Sequence, residues 1–286
     1  TLLDPAEDLD AFIGQMQMMM LNMDEPRHGR LRKLVSAGFA PGQIRKLTEQ
    51  LAIDARNIMD RALEKGDVDL VDDVAAPLPL IAICRFLGVP ESDYKMILHL
   101  SNSLMGFEDP DFVQSKEQQQ EKLMELFMYA QGIAERTRAD PADDIPSALL
   151  AAEVDGEKLT DLEFNMFFLL LLNAGTETTR NSIAHGMRAL LQHPDQLAVL
   201  RQDPAKLDRA IEEILRWATP VMQFRRQTTR EVEVAGTVIP EDSGVIMWYT
   251  AANRDPHVFD DPYRFNIERK PNHHVAFGGG GNHFCM

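Results

Sequence analysis

The stretch that most restricts the fold is Thr160 to Gln192. Thr160-Asp161-Leu162-Glu163 has the pattern of a capping box, in which the threonine and the glutamate satisfy each other's backbone donors. The helix it opens is predicted to run to about Gln192, just short of His193-Pro194. At ~1.5 Å per residue that is about 48 Å, enough to cross a whole domain. Phe164, Met166, Phe167, Phe168 and Leu169 to Leu172 are apolar on every side, which predicts a buried helix around which other elements pack. The middle then changes character, at Asn173-Ala174-Gly175-Thr176-Glu177-Thr178-Thr179. A glycine and three threonines lower helix propensity, and threonine hydroxyls bond back to carbonyls one turn earlier and bend the axis. Two readings follow: a packing kink, or a groove holding a small ligand beside an acid and an alcohol.

Other helices are predicted over 43–63, 68–86 (entered through Pro77 and Pro79), 91–105, 110–138, 145–153, 194–203 and 206–218. After Thr219-Pro220 short runs rich in β-branched and aromatic residues predict strands at 221–227, 231–234, 237–239 and 245–249. The fold class is therefore mainly α with small β-sheets. No internal repeat or low-complexity linker marks two independent domains, so the 286 residues are read as one domain. A net charge of -16 argues against a general affinity for nucleic acid. The longest uninterrupted apolar run, Met166 to Leu172, is far below the ~20 residues of a membrane span, and no signal peptide is visible. Two cysteines form no disulfide framework, which favours a cytoplasmic location, and Cys84, in an apolar run, reads as a buried small hydrophobe. The methionines at 16, 18, 19, 20 and 23 read as core filling in preference to substrate contact.

The chain closes on Phe277-Gly278-Gly279-Gly280-Gly281-Asn282-His283-Phe284-Cys285-Met286. Four glycines make a loop, because each forfeits packing and costs ordering entropy in a helix or strand. A loop without side chains can lie against something flat, and this one carries a cysteine two residues after a histidine. It resembles the haem-binding loop of the cytochromes P-450, Phe-Gly-x-Gly-x-His-x-Cys. Gly279, Gly281, His283 and Cys285 match in register, whereas Phe277 lies one residue too far from the cysteine. The extra glycine is similar to the loop of a bacterial group that oxidises sterol side chains, branched lipids or terpenoids. Asn173 to Thr179 resembles the family's Ala-Gly-x-Asp/Glu-Thr motif, which favours the groove reading.

The resemblance implies a P-450 fold with its long central helix over haem b, and a chain incomplete at both ends. It implies Cys285 as the axial ligand of the iron, with Ala174 and Gly175 against the cofactor. His28 and Arg32, four apart on one helical face after Pro26, would hold a propionate together with Arg226 and His283. Glu177 and Thr178 would deliver protons for the cleavage of dioxygen. Glu213 and Arg216 would form a buried pair completed by Arg264, and Val221 and Met222 would line the substrate pocket. The implied reaction inserts one oxygen atom into a C–H bond of a hydrophobic substrate. Its electrons would come from NAD(P)H through a ferredoxin-type donor and its reductase, with Arg27, Arg30 and Lys33 as a basic docking strip. The alternatives are a non-catalytic haem-binding protein or inactive fragment, and a structural zinc site of His273, His274, His283 and Cys285.

Overall fold

The computed structural model describes residues 17–105 and 115–286; Met16 and the start of the helix expected from Pro110 lie outside the described residues. The chain divides into two compact units, residues 1–177 and 178–286, and the division falls inside the long helix.

In the first unit the helices are α1 (Arg27–Val35), α2 (Pro41–Lys65), α3 (Pro77–Phe86), α4 (Tyr94–Met105), α5 (Lys116–Ala139) and α6 (Ile145–Ala151). Part of α7 (Asp161–Gln192) completes them. One apolar cluster joins them, including Leu31 and Leu34 of α1, Cys84 of α3, Ile97 of α4, Leu126 of α5, Leu149 of α6, and Phe164, Phe168 and Leu172 of α7. The layer is helix on helix, and the apolar start of α7 is buried as its composition predicts. Met20 and Met23 lie in this core and Met18 packs against it, which is the core-filling role expected for the methionines. Cys84 is fully buried, and burial pushes its thiol up to about 12.

Two differences from expectation have local causes. The stretch 68–86 is not one helix: Asp69 caps a wide turn at Leu70–Ala75 by accepting from the Val71 and Asp72 amides, and α3 starts afresh at Pro77, which has no N–H to continue the ladder. A small hairpin, β1 (Glu153–Val154) with β2 (Glu157–Lys158), stands before α7. Its turn is Asp155-Gly156, both at positive φ, the conformation that Asp-Gly favours in two-residue hairpins.

The capping box of α7 is formed. Glu163 accepts from the Thr160 amide at 2.9 Å and from its hydroxyl at 3.0 Å, and the Glu163 amide donates to Thr160 Oγ1 at 3.2 Å. The same carboxylate receives Arg30 Nη1 of α1 at 2.7 Å, while Arg30 Nε binds Glu157. Arg30 is thus committed to its own chain and does not belong to a free basic strip; Arg27 and Lys33 remain exposed.

The second unit holds the rest of α7, α8 (Pro194–Gln202), α9 (Leu207–Ala218) and α10 (Tyr249–Ala252). Its core is Ala189, Leu190, Ala210, Phe265 and Ile267, with Ile214 and Trp217 against them. The half-buried His193 ring packs against Trp217 and Phe265, at centroid distances of 5.8 and 5.2 Å. Strand β3 (Gln223–Gln227) pairs antiparallel with β6 (Gly244–Trp248), from Gln223 opposite Trp248 to Gln227 opposite Gly244. Strands β4 (Val232–Val234) and β5 (Thr237–Ile239) form a second hairpin about Ala235-Gly236.

One prediction concerns Glu163. Burial alone would raise its pKa, but the bonds from Arg30 and Thr160 outweigh that and hold it below the ordinary carboxylate range. A depressed folded pKa contributes stability above the unfolded value of about 4.3, and that stability is lost as pH falls through the folded value. Glu163→Gln should therefore cost about 1–2 kcal/mol at pH 7. The gap from wild type should close in acid, which urea unfolding at a series of pH values would measure.

Candidate functional site

In the first unit, α7 carries Asn173 to Glu177 without interruption of the helix, as the predicted run to Gln192 requires. The threonine does what its chemistry predicts: Thr176 Oγ1 donates to the Leu172 carbonyl at 2.7 Å, satisfying a buried hydroxyl within the helix. Gly175 has a packing reason. A Cβ there would lie 2.3 Å from Cδ1 and 2.6 Å from Cγ1 of Ile83, so glycine lets α3 close against α7. The side on which a Cβ would stand is thus filled by Ile83. Ala174 is exposed and Glu177 half-buried. On α1, His28 is only 1% exposed, with Nδ1 3.6 Å from Glu25 Oε1, and Arg32 is half-buried in the last turn.

In the second unit, Thr178 is half-buried and its carbonyl accepts from Ser182 Oγ at 2.8 Å. Arg226 lies exposed on β3, its guanidinium 5.8 Å from the Phe224 ring. Just before β3, Val221 is half-buried and Met222 is 62% exposed; the Met222 carbonyl accepts from the Tyr249 amide at 2.9 Å.

Glu213 and Arg216, both fully buried on α9, form a two-pronged pair: Nε to Oε2 at 2.8 Å and Nη2 to Oε1 at 2.9 Å. The third member is Arg269, not Arg264. Arg269 Nε lies 3.1 Å from Glu213 Oε2, whereas the Arg264 side chain is exposed and only its carbonyl enters, accepting from both Arg216 and Arg269. The remaining donors are used on the backbone of the irregular segment 253–265: Arg216 Nη1 on the Asn253 and Pro262 carbonyls, and Arg269 on the Asp260 and Asp261 carbonyls. The Asn266 amide and Asn272 Nδ2 add bonds to Glu213. Asn253 links onward, taking the Val275 amide at 2.7 Å.

Val275 leads into the glycine loop. The Gly278 amide donates to the Val275 carbonyl at 2.9 Å, and the Cys285 amide donates to the Phe277 carbonyl at 3.0 Å. Phe277, one residue out of register with the common motif, therefore still clasps the cysteine, and the additional glycine is taken up inside the ring. Gly278, Gly280 and Gly281 adopt positive φ, at 98°, 97° and 79°, which L side chains resist. A Cβ on Gly279, Gly280 or Gly281 would meet nothing within 4 Å, so this stretch presents bare backbone. Cys285 is exposed beside it and His283 half-buried. An accessible sulfur next to a backbone surface without side chains fits a flat, thiolate-ligated group such as haem.

The zinc alternative finds no support. Among the described residues no three His, Cys, Asp or Glu side chains gather to hold a metal ion, and His274 is directed to Glu212 at 2.8 Å. Among the described residues no helix is long and apolar enough to cross a membrane.

The chain matches the family model for cytochrome P450 over residues 11–285, and it belongs to that family. It is 44% identical to the steroid C26-monooxygenase of Mycobacterium tuberculosis over 274 residues, 96% of this chain and 62% of that protein. The methyl-branched lipid omega-hydroxylase of the same organism is 39% identical over 290 residues, 100% of this chain and 67% of that protein. A Mycobacterium marinum cytochrome P450 solved with pseudoionone superposes with a TM-score of 0.89 at 40% identity, covering 96% of this chain and 68% of that one. The chain thus spans less than two thirds of the length of the steroid monooxygenases it matches.

Sequence reasoning missed Arg269, whose signal was weak: it lies in an irregular segment where no periodicity says which arginine turns inward. Removing one partner of a buried ion network leaves an uncompensated charge. Arg269→Ala should cost about 3–5 kcal/mol in urea unfolding, and Arg264→Ala should stay within about 0.5 kcal/mol of wild type.

Proposed function

We propose that this chain is that of a haem-thiolate monooxygenase that hydroxylates a hydrophobic steroid, branched-lipid or terpenoid substrate. The observation that carries the reading is the clasped glycine loop, which offers an exposed Cys285 sulfur beside bare backbone, in a member of the P450 family. Haem supplies, when bound, the reductive chemistry that cleaves dioxygen and places one of its atoms in a C–H bond.

The roles assigned to the chain's own residues are these. Cys285 would ligate the iron through Sγ, and its thiolate would donate electron density to the group. Ala174, exposed on α7, would lie against the cofactor. Arg32, Arg226 and His283, with His28 from its buried position, would hold the propionates by charge and hydrogen bonding. Thr178 Oγ1 would hold a proton at the reacting face, and the Glu177 carboxylate would resupply it from solvent. Two electrons and two protons per turnover convert substrate and dioxygen to alcohol and water. No second redox group is assigned to the chain, so NAD(P)H would supply the electrons through a ferredoxin-type donor and its reductase. A cytoplasmic location goes with that donor.

Val221 and Met222 are assigned to the substrate pocket, in keeping with an apolar ligand. The substrate class rests on the similarity to the steroid C26-monooxygenase and the methyl-branched lipid omega-hydroxylase. Haem-reconstituted protein, reduced and treated with carbon monoxide, should show the strongly red-shifted Soret band of a thiolate-ligated carbonyl. Cys285→Ser should lose that shift, and a wild-type protein without it would sink the reading. Adding a steroid or a methyl-branched fatty acid should then change the spin state in the ferric spectrum.

A further inference from the structure

We propose that His274, held by Glu212, is a positioning residue that fixes the cysteine loop through its stem. The inference rests on the reading of Cys285 as iron ligand. The Ala276 amide donates to His274 Nδ1 at 3.2 Å, so Nδ1 is the bare nitrogen and Nε2 carries the proton. Nε2–H then donates to Glu212 Oε2 at 2.8 Å. The ring side chain is 4% exposed while that of Glu212 is 54% exposed, so a solvent-facing acid on α9 reaches in to orient a buried imidazole. Glu212 adjoins Glu213, the centre of the buried ion network.

On its other side the His274 ring packs 6.0 Å from the Phe277 ring. The Phe277 carbonyl is the group that holds the Cys285 amide at 3.0 Å. A continuous path of contacts therefore runs from α9 through Glu212, His274 and Phe277 to Cys285. Histidine suits the place because one ring both accepts from the stem backbone and donates to the helix. Without it the Ala276 amide loses its acceptor and Phe277 loses a neighbour, and the mouth of the loop is released.

Two readouts separate this role from general stability. In the haem-free 286-residue chain, the rate at which a disulfide reagent labels Cys285 reports the loop alone, because Cys84 is fully buried. In the reconstituted chain, the red-shifted carbonyl band relative to the unshifted one reports the thiolate. His274→Ala and Glu212→Ala should speed labelling severalfold, diminish the red-shifted band and weaken haem affinity about tenfold. Glu212→Gln should restore wild-type behaviour, since its amide oxygen still accepts from Nε2–H. Lys206→Ala, which removes a 2.7 Å pair with Glu268, serves as the control that should change neither readout. Because Glu212 is exposed, its variants keep the test valid even if His274→Ala folds poorly. Wild-type labelling and spectra in Glu212→Ala would overturn the proposal. A wild-type chain lacking the red-shifted band would sink the ligand reading instead, and the labelling rates would still decide whether the clasp controls the loop.

Discussion

The second unit depends on one carboxylate with no access to water. Glu213 is fully buried, and a charge in that position is tolerable only if it is surrounded by donors. Two guanidinium groups, a backbone amide and an asparagine amide supply them. The arginines then spend their remaining N–H groups on backbone carbonyls of a segment that has no helix or sheet of its own. An irregular stretch thereby has its carbonyls satisfied by side chains instead of by a helix or sheet ladder. Phe259 closes the top of the arrangement, 5.3 Å from the Arg216 guanidinium and 6.0 Å from that of Arg269. Arg254, next to this cluster, is held below the usual arginine range first by burial and then by the charge of Arg216.

The same economy appears in the first unit, where Glu163 caps α7 and also receives Arg30 from α1. One side chain sets both where the long helix begins and where a neighbouring helix lies. This explains why an arginine that looks like part of a solvated basic face is spoken for. Surface-charge arguments from sequence alone fail in this way, because a long side chain reaches partners far away along the chain.

What was legible in the sequence was whatever a local rule governs. The extent of α7, the short strands after Pro220, the buried Cys84 and the glycine loop follow from capping, β propensity, hydropathy and backbone freedom. The Asp155-Gly156 hairpin was equally available and was overlooked because its strands are only two residues long. Arg269 was not legible in the same sense, since the choice between Arg264 and Arg269 depends on how an irregular segment folds back on α9. Gly175 lay between these cases: its presence signalled a close approach, but only the structure shows that the approaching group is Ile83.

The bond between the Cys285 amide and the Phe277 carbonyl has a consequence for how such loops diverge. A ring tied at its neck can gain or lose a member without moving the neck. Three of the glycines inside it sit at positive φ, which L side chains disfavour, and at three a Cβ would meet no protein atom within 4 Å. The extra glycine of this loop lies between the two tied ends, and the bond at the cysteine is kept. In this chain the pairing of the aromatic residue's carbonyl with the cysteine's amide survives a one-residue change in the count between them.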